Sequence, residues 1–436
     1  MPAIPLAFAA ALALLAVPQE GLRTRRSKEA IVKANTSKEI AEAVGQRIDN
    51  FCKVFRGFYD DLGLEKKSDN MLSARLFDTY EEYQRHYKRT SSDDDPPLAY
   101  WSPSMNSIVL YNDEADVTLR QTLFHESSHQ YLSRYTSDAP KWLNEGLAEY
   151  FEGWRMSPAG ELLEKRVNLY DLKLLQDCLK SGKSLAPRAL AAFTAEEFNE
   201  FKKRNPALHP YLHYVTAWGM VYFSLVLSDD DHDRERLVQY LKDLNEKGPR
   251  ASFAPEDWDA FEARWKQAIL ALETKPVDMI DHVLLAVGHR QSAEYAEAAA
   301  LYQKAYELDP KAPGALYWLG FCKKRLGKYD EAMTWFEKAR ASEPANPWVP
   351  YQMARIVLAL DVKGGKGDPA KALPLAEAAA KLAKDSPGTL ELLARCQSAG
   401  GDTAGAQKTV KRILKQVEEE ADKAYFEALE KELKGK

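Results

Sequence analysis

Apolar side chains recur at helical spacing along most of the chain, while the short runs that suit strands lie before residue 112. Within the charged stretch 27–66, Ile40, Ala43, Val44, Ile48, Phe51, Val54 and Phe55 mark one face of a helix expected to pack on the unit that follows. MLSARLF (71–77) suits a strand, and DTYEEYQRHY (78–87) a helix with Asp78 as its N-cap. The polar TSSDDDPP (90–97) suits a solvated loop. LAYWS (98–102) and SIVLY (107–111) suit two strands joined by PSMN, with SIVLY as a free edge. Two helices follow, 115–134 and 140–154. Residues 161–205 are helical with interruptions, and HPYLHYVTAWGMVYFSLVL (209–227) predicts one long apolar helix. Further helices run to 274, where Lys275-Pro276 marks a boundary.

Beyond that boundary the pattern repeats. YAEAAALYQKAYELDP (295–310) and YDEAMTWFEKARASEP (329–344) align at an offset of 34 residues, the tetratricopeptide period. Small residues recur where helices pack (Ala298 with Ala332, Ala305 with Ala339), and so do aromatics (Tyr302 with Phe336). Gly320 has Ala286, Ala354 and Ala394 in equivalent places. About four such repeats, with a longer third unit and a polar last helix as cap, form an all-α solenoid over 277–434. Its groove would dock a protein partner or substrate.

Composition narrows the classes. The 436 residues are 45% apolar and 29% charged, as in globular domains, and too many for one core. A net charge of −5 with mixed signs gives no footprint for nucleic acid. Cys52, Cys178, Cys322 and Cys396 are too scattered for a disulfide framework or a zinc knuckle, and Cys322 and Cys396 share one repeat position, which suits packing. The apolar run Ile4–Val17 has the length of a signal-peptide core, so residues 1–20 predict export to a secreted or periplasmic location. No later segment is apolar enough to span a bilayer. The acidic runs SSDDD and SDDDHD suit solvated loops.

The chemistry concentrates in RQTLFHESSHQYLSRY. On a helix, His125 and His129 lie one turn apart on one face, which lets two imidazoles bind one zinc ion. Glu126 sits on the flank, within reach of a water held there. Leu123 and Phe124 point to burial, and a buried His-Glu-His cluster without a metal is costly. Ser127 and Ser128 carry no catalytic reading. KWLNEGLAEYFEGW (141–154) then offers carboxylates for a third ligand.

HESSH followed by WLNEGLAEYFE resembles the gluzincin metallopeptidases, most closely the DUF1570 group of peptidase MA-like kind, and the likeness covers roughly residues 70–230. It implies an α+β, thermolysin-like head (27–274) with a mixed sheet above and helices below, and one zinc per chain. It also implies that His125, His129 and Glu145 are the ligands and Glu126 the general base. The spacing leaves a rival: fifteen residues lie between His129 and Glu145 and nineteen between His129 and Glu149, against eighteen or nineteen in the best-known gluzincins. Glu149 is thus an alternative ligand, or else an acceptor for a ligand imidazole N–H, a role open also to Glu152. Related families stabilise the oxyanion with a Tyr or His from a later helix; Tyr214 is the candidate here, with His213 and Tyr211 as rivals. The expectation is a zinc-dependent peptidase, acting through a metal-activated water on a peptide or protein substrate. The alternative is a catalytically silent zinc-fold scaffold whose repeats carry the function.

Overall fold

The apolar face predicted within 27–66 becomes α1 (Lys38–Asp61), whose N-cap Ser37 accepts a hydrogen bond from Ile40 N–H at 3.3 Å. The computed structural model describes residues 22–434 apart from 79, 91–98, 103, 113–116, 137, 313, 362–364, 384–385 and 418–419. The apolar run Ile4–Val17, read as a signal peptide, and the acidic run 91–95 lie outside the described residues.

Ahead of α1 stand two strands, β1 (Arg23–Arg26), before the stretch read as helical, and β2 (Ala30–Ala34), which the helical reading of 27–66 missed. In β2 the residues AIVKA alternate buried and half-buried, and a run this short cannot be assigned by periodicity alone. The chain continues through β3 (Leu72–Phe77), α2 (Tyr80–Thr90), β4 (Ala99–Ser102), β5 (Ser107–Tyr111), α3 (Val117–Leu132) and α4 (Lys141–Glu152). The five strands form one mixed sheet in the order β1-β2-β3-β5-β4, with the β2-β3 and β3-β5 pairs parallel and the outer pairs antiparallel.

SIVLY is therefore not a free edge. As β5 it is paired on both sides, and all five of its residues are buried. Ile108 and Leu110 face the main core under α1 and α3, whereas Val109 and Tyr111 pack with Phe77 and Tyr83 on the other face. An unbroken apolar run is the mark of a strand covered on both faces, and the edge falls to β4.

Below the sheet, a short hairpin of β6 (Arg155–Met156) and β7 (Leu162–Glu164) leads to α5 (Leu169–Ser181). Three brief helices follow, α6 (Pro187–Ala191), α7 (Ala195–Asn199) and α8 (Phe201–Arg204). The long helix expected over 209–227 is α9 (Leu212–Tyr222) ending in a π-helical turn, Phe223–Leu227. Then come α10 (Asp231–Lys247) and α11 (Trp258–Ala271). The SDDDHD run is not simply solvated: Asp230 caps α10, and fully buried Asp233 is paired with Arg236 at 3.0 Å and Arg264 at 2.7 Å.

The tail is wholly helical among the described residues. It comprises α12 (Met279–Gln291), α13 (Tyr295–Leu308), α14 (Ala315–Arg325), α15 (Tyr329–Ser342), α16 (Trp348–Val357), α17 (Pro369–Leu382), α18 (Pro387–Ala399), α19 (Thr403–Leu414) and α20 (Glu420–Lys434). Ala286, Gly320, Ala354 and Ala394 are all buried, and a Cβ on Gly320 would stand 2.8 Å from the Phe336 ring. Cys322 and Cys396 are free and fully buried, and burial pushes both thiols up to about 12, as packing residues require. Among the described residues no helix is long and apolar enough to cross a membrane.

The head depends on one close helix crossing. At Gly146 of α4 a Cβ would lie 2.6 Å from the Ala217 carbonyl oxygen of α9, so only glycine lets the two backbones approach this far. Gly146→Ala is expected to destabilise the protein by about 1–3 kcal/mol, read as a lowered thermal midpoint.

Candidate metal centre

The rotation of α3 is set by its aromatic side. Phe124 stacks on Phe55 of α1 with ring centroids 4.8 Å apart, and Tyr131 lies 5.3 Å from the same ring. With that face committed to α1, His125 and His129 turn toward α4. Their Nε2 atoms lie 3.7 and 3.5 Å from one oxygen of Glu145, Oε2. These separations exceed hydrogen-bond lengths. Both are close to one edge of a ligand tetrahedron, about 3.4 Å for zinc bonds of about 2.0–2.2 Å, and His125, His129 and Glu126 also bring ligand atoms within 4.8 Å of one another.

Each imidazole is oriented through its other nitrogen. His125 Nδ1 stands 3.0 Å from Glu152 Oε2, and His129 Nδ1 donates to Asn144 Oδ1 at 2.9 Å. In the neutral imidazole, a proton held on Nδ1 leaves the Nε2 lone pair available to a metal. Asn144 was not singled out in the sequence; its signal was its place directly before Glu145 in the NEG motif. Glu152, rather than Glu149, takes the imidazole N–H. Glu149 is 1% exposed, accepts from the Tyr211 hydroxyl through Oε1, and leaves Oε2 without a partner among the described residues. It gathers with His125 and Glu152, their ligand atoms within 4.8 Å of one another, and adjoins Asp171 of α5.

Glu126 lies on the sheet side of α3, and its Oε2 accepts from the Trp101 backbone N–H of edge strand β4 at 2.6 Å. The Trp101 ring stacks on His129 with centroids 6.0 Å apart. Ser127 and Ser128 are buried, and Ser128 Oγ donates back to the His125 carbonyl at 2.7 Å, a packing role only. From α9, Tyr211 and Tyr214 stack on each other at 4.8 Å, and burial with the charges of Glu145, Glu149 and Glu126 holds the Tyr214 phenol well above its ordinary value. The Tyr214 hydroxyl makes no hydrogen bond among the described residues. His213 is instead packed between Phe201 at 4.3 Å and Phe198 at 4.5 Å, and burial pushes it down to about 4.

The buried charges hold one another in unlike states. Burial disfavours the His125 cation, yet Glu145 and Glu152 outweigh it and keep this imidazole well above its ordinary value. Burial carries His129 down to about 4. Burial raises Glu145, but His129, His125 and Lys141, whose Nζ is 3.4 Å from Oε1, overcome it and bring the carboxyl to about 2. Burial lifts Glu126 to about 7. Burial, then the charge of Glu152, lifts Asp171 to about 8, and Glu149 is held well above the carboxylate range by burial and by Asp171.

A family model for DUF1570, described as a protein of unknown function, matches residues 120–251, and a model for the tetratricopeptide repeat matches 289–347 and 365–431. No curated protein matches the chain. Similar solved structures include YrrB, described as a TPR protein with an unusual peptide-binding site (25% identity, 36% of this chain and 78% of that one, TM-score 0.30). Another is MamA of Desulfovibrio magneticus RS-1, from residue 41 to its end (15% identity, 43% of this chain and 97% of that one, TM-score 0.28).

The raised Asp171 carboxyl makes a stability prediction. Its folded form binds the proton more tightly than the unfolded chain, so the stability it adds is complete below about pH 4 and is lost as pH rises through about 8. With chelator present, the thermal midpoint of the wild type is expected to fall more between pH 5 and 9 than that of Asp171→Asn. The chain thus joins a DUF1570 domain, spanning both motif helices, to a tail of tetratricopeptide repeats.

Proposed function

We propose that the protein is a zinc-dependent peptidase of gluzincin type, with His125, His129 and Glu145 as ligands, whose repeat tail docks a protein or peptide partner. The observation that carries this reading is the convergence of two Nε2 atoms on Glu145 Oε2 at 3.7 and 3.5 Å, with both Nδ1 atoms already engaged. Glu149 fits the ligand role less well, because its Oε1 accepts from the Tyr211 hydroxyl and burial with the neighbouring Asp171 holds its carboxyl well above the carboxylate range. The mixed sheet above a helix pair is compatible with the thermolysin-like head that the resemblance implies. Export to a secreted or periplasmic location is part of the proposal and rests on the Ile4–Val17 run.

Bound zinc would supply Lewis acidity to the attacking water and to the scissile carbonyl. Glu126 commits Oε2 to the Trp101 N–H, which leaves Oε1 to take the proton of that water and pass it to the leaving amine. Tyr214, with its hydroxyl unclaimed and its phenol firmly protonated, is the donor for the oxygen that becomes negative. An extended substrate would pair along β4, the strand at the end of the sheet beside Glu126.

Elemental mass spectrometry of protein purified without chelator is expected to give about one zinc per chain, and His129→Ala to lose it. A metal-free wild type after zinc repletion would end the peptidase reading. In the loaded protein, Glu126→Gln is expected to cut peptide-library hydrolysis by about 10²–10⁴-fold, and Tyr214→Phe by about 10²-fold, both with zinc retained. Equal hydrolysis by wild type and Glu126→Gln would leave the silent scaffold.

A further inference from the structure

The first tail helix, α12, does not hang from a linker. It is fastened to the back of the metal centre at two places. At the first, the Arg155 fork grips Asp278, the N-cap residue of α12, with bonds of 2.7 and 3.0 Å, and also reaches Asp281. Arg166 adds a bond to Asp281 at 3.2 Å. Asp281 is buried and the Arg155 side chain is 11% exposed, while Asp278 at 38% and Arg166 at 28% form the outer side of the cluster, which is therefore half-buried. At the second place, the Tyr170 ring of α5 fills the space left by Gly288 of α12, where any Cβ would overlap it. The Tyr170 hydroxyl meets Ser292, and the His289 ring stands edge-on to it at 5.1 Å.

Both fastenings adjoin residues that hold the ligands. Arg155 follows by three positions Glu152, the last residue of α4 and the partner of His125 Nδ1. The end of a helix is where its backbone is least restrained, so the carboxylate that orients His125 sits where an outside hold is most needed. Tyr170 directly precedes Asp171, which packs on Glu149. Between them, Gly153 lies against the backbone before α5, where a Cβ would stand only 2.7 Å from Asn168 N, so the end of α4 and the start of α5 are in direct backbone contact.

We propose that α12 is a structural part of the metal centre, and that Arg155 and Tyr170 are the positioning residues through which the tail fixes Glu152 and Asp171. The inference rests on the zinc reading above. It makes the tail more than a docking arm, because a partner that displaced α12 would loosen the metal.

The test measures zinc release to a chromophoric chelator, beside the thermal midpoint, in the full chain. Gly288→Ala forces Tyr170 from its place. Gly320→Ala makes a comparable intrusion inside the tail, 2.8 Å from the Phe336 ring and away from the head. Both are expected to lower the midpoint, but only Gly288→Ala should release zinc faster, by about tenfold or more. Arg155→Ala should do the same, with part of the retention recovered in Arg155→Lys. Wild-type release from both Gly288→Ala and Arg155→Ala would overturn the proposal while leaving the zinc site standing. A wild type that holds no zinc would overturn the metal reading and this inference with it.

Discussion

Three buried carboxyl groups and two buried imidazoles gather with half-buried Glu126 and Glu152 where α3, α4 and α5 meet, and keeping that much charge largely out of water is the constraint the head is built to meet. Each group is given a partner or a proton. Glu145 faces the imidazoles and Lys141, Glu152 holds His125, Trp101 N–H holds Glu126, and Glu149 and Asp171 stay protonated against each other. The surrounding packing is what keeps these pairs in register. Phe124 and Tyr131 fix the turn of α3, and Gly146 sets how closely α9 approaches α4. Replacing such a cluster by apolar side chains would in general cost little or even stabilise, so a reason other than stability must account for it.

The parts of this arrangement that follow from periodicity were legible in the sequence. A four-residue spacing puts His125 and His129 on one face wherever α3 packs, and the NEG motif lies on its own helix whatever its neighbours. Which carboxylate meets which imidazole is a different matter. Glu149 and Glu152 lie three residues apart on α4, and only the crossing of α3 over α4 decides that Glu152 takes His125 Nδ1 while Glu149 turns to Tyr211. The choice of Asn144 as partner of His129 has the same origin. Strand order was hidden for a related reason: SIVLY shows burial on both faces in its composition, but not which strand lies beyond it. In β2, five residues are too few to separate a strand from the helix that follows.

The tail shows the same division. A 34-residue offset repeats each helix pair against its neighbour, so small residues at 286, 320, 354 and 394 announce the packing in advance. The joint between tail and head has no period. Nothing in the sequence sets Gly288 apart, and only its contact with Tyr170 gives it a role between the two units. Asp278 and Asp281 likewise look like the ordinary acidic start of a helix until Arg155 is found across from them.

The placement of Glu126 bears on whether the buried charge serves catalysis or only structure. Structural metal sites close around their ion, whereas catalytic ones keep a position free and a proton acceptor near it. Glu126 is not needed to orient either imidazole, since Glu152 and Asn144 do that. It is instead fastened by one oxygen to the backbone of β4, the strand at the end of the sheet, which leaves its other oxygen to accept and return a proton. The two imidazoles facing Glu145 Oε2 at 3.7 and 3.5 Å, with Glu126 beside them keeping one oxygen uncommitted, are the arrangement on which the proposed hydrolysis rests.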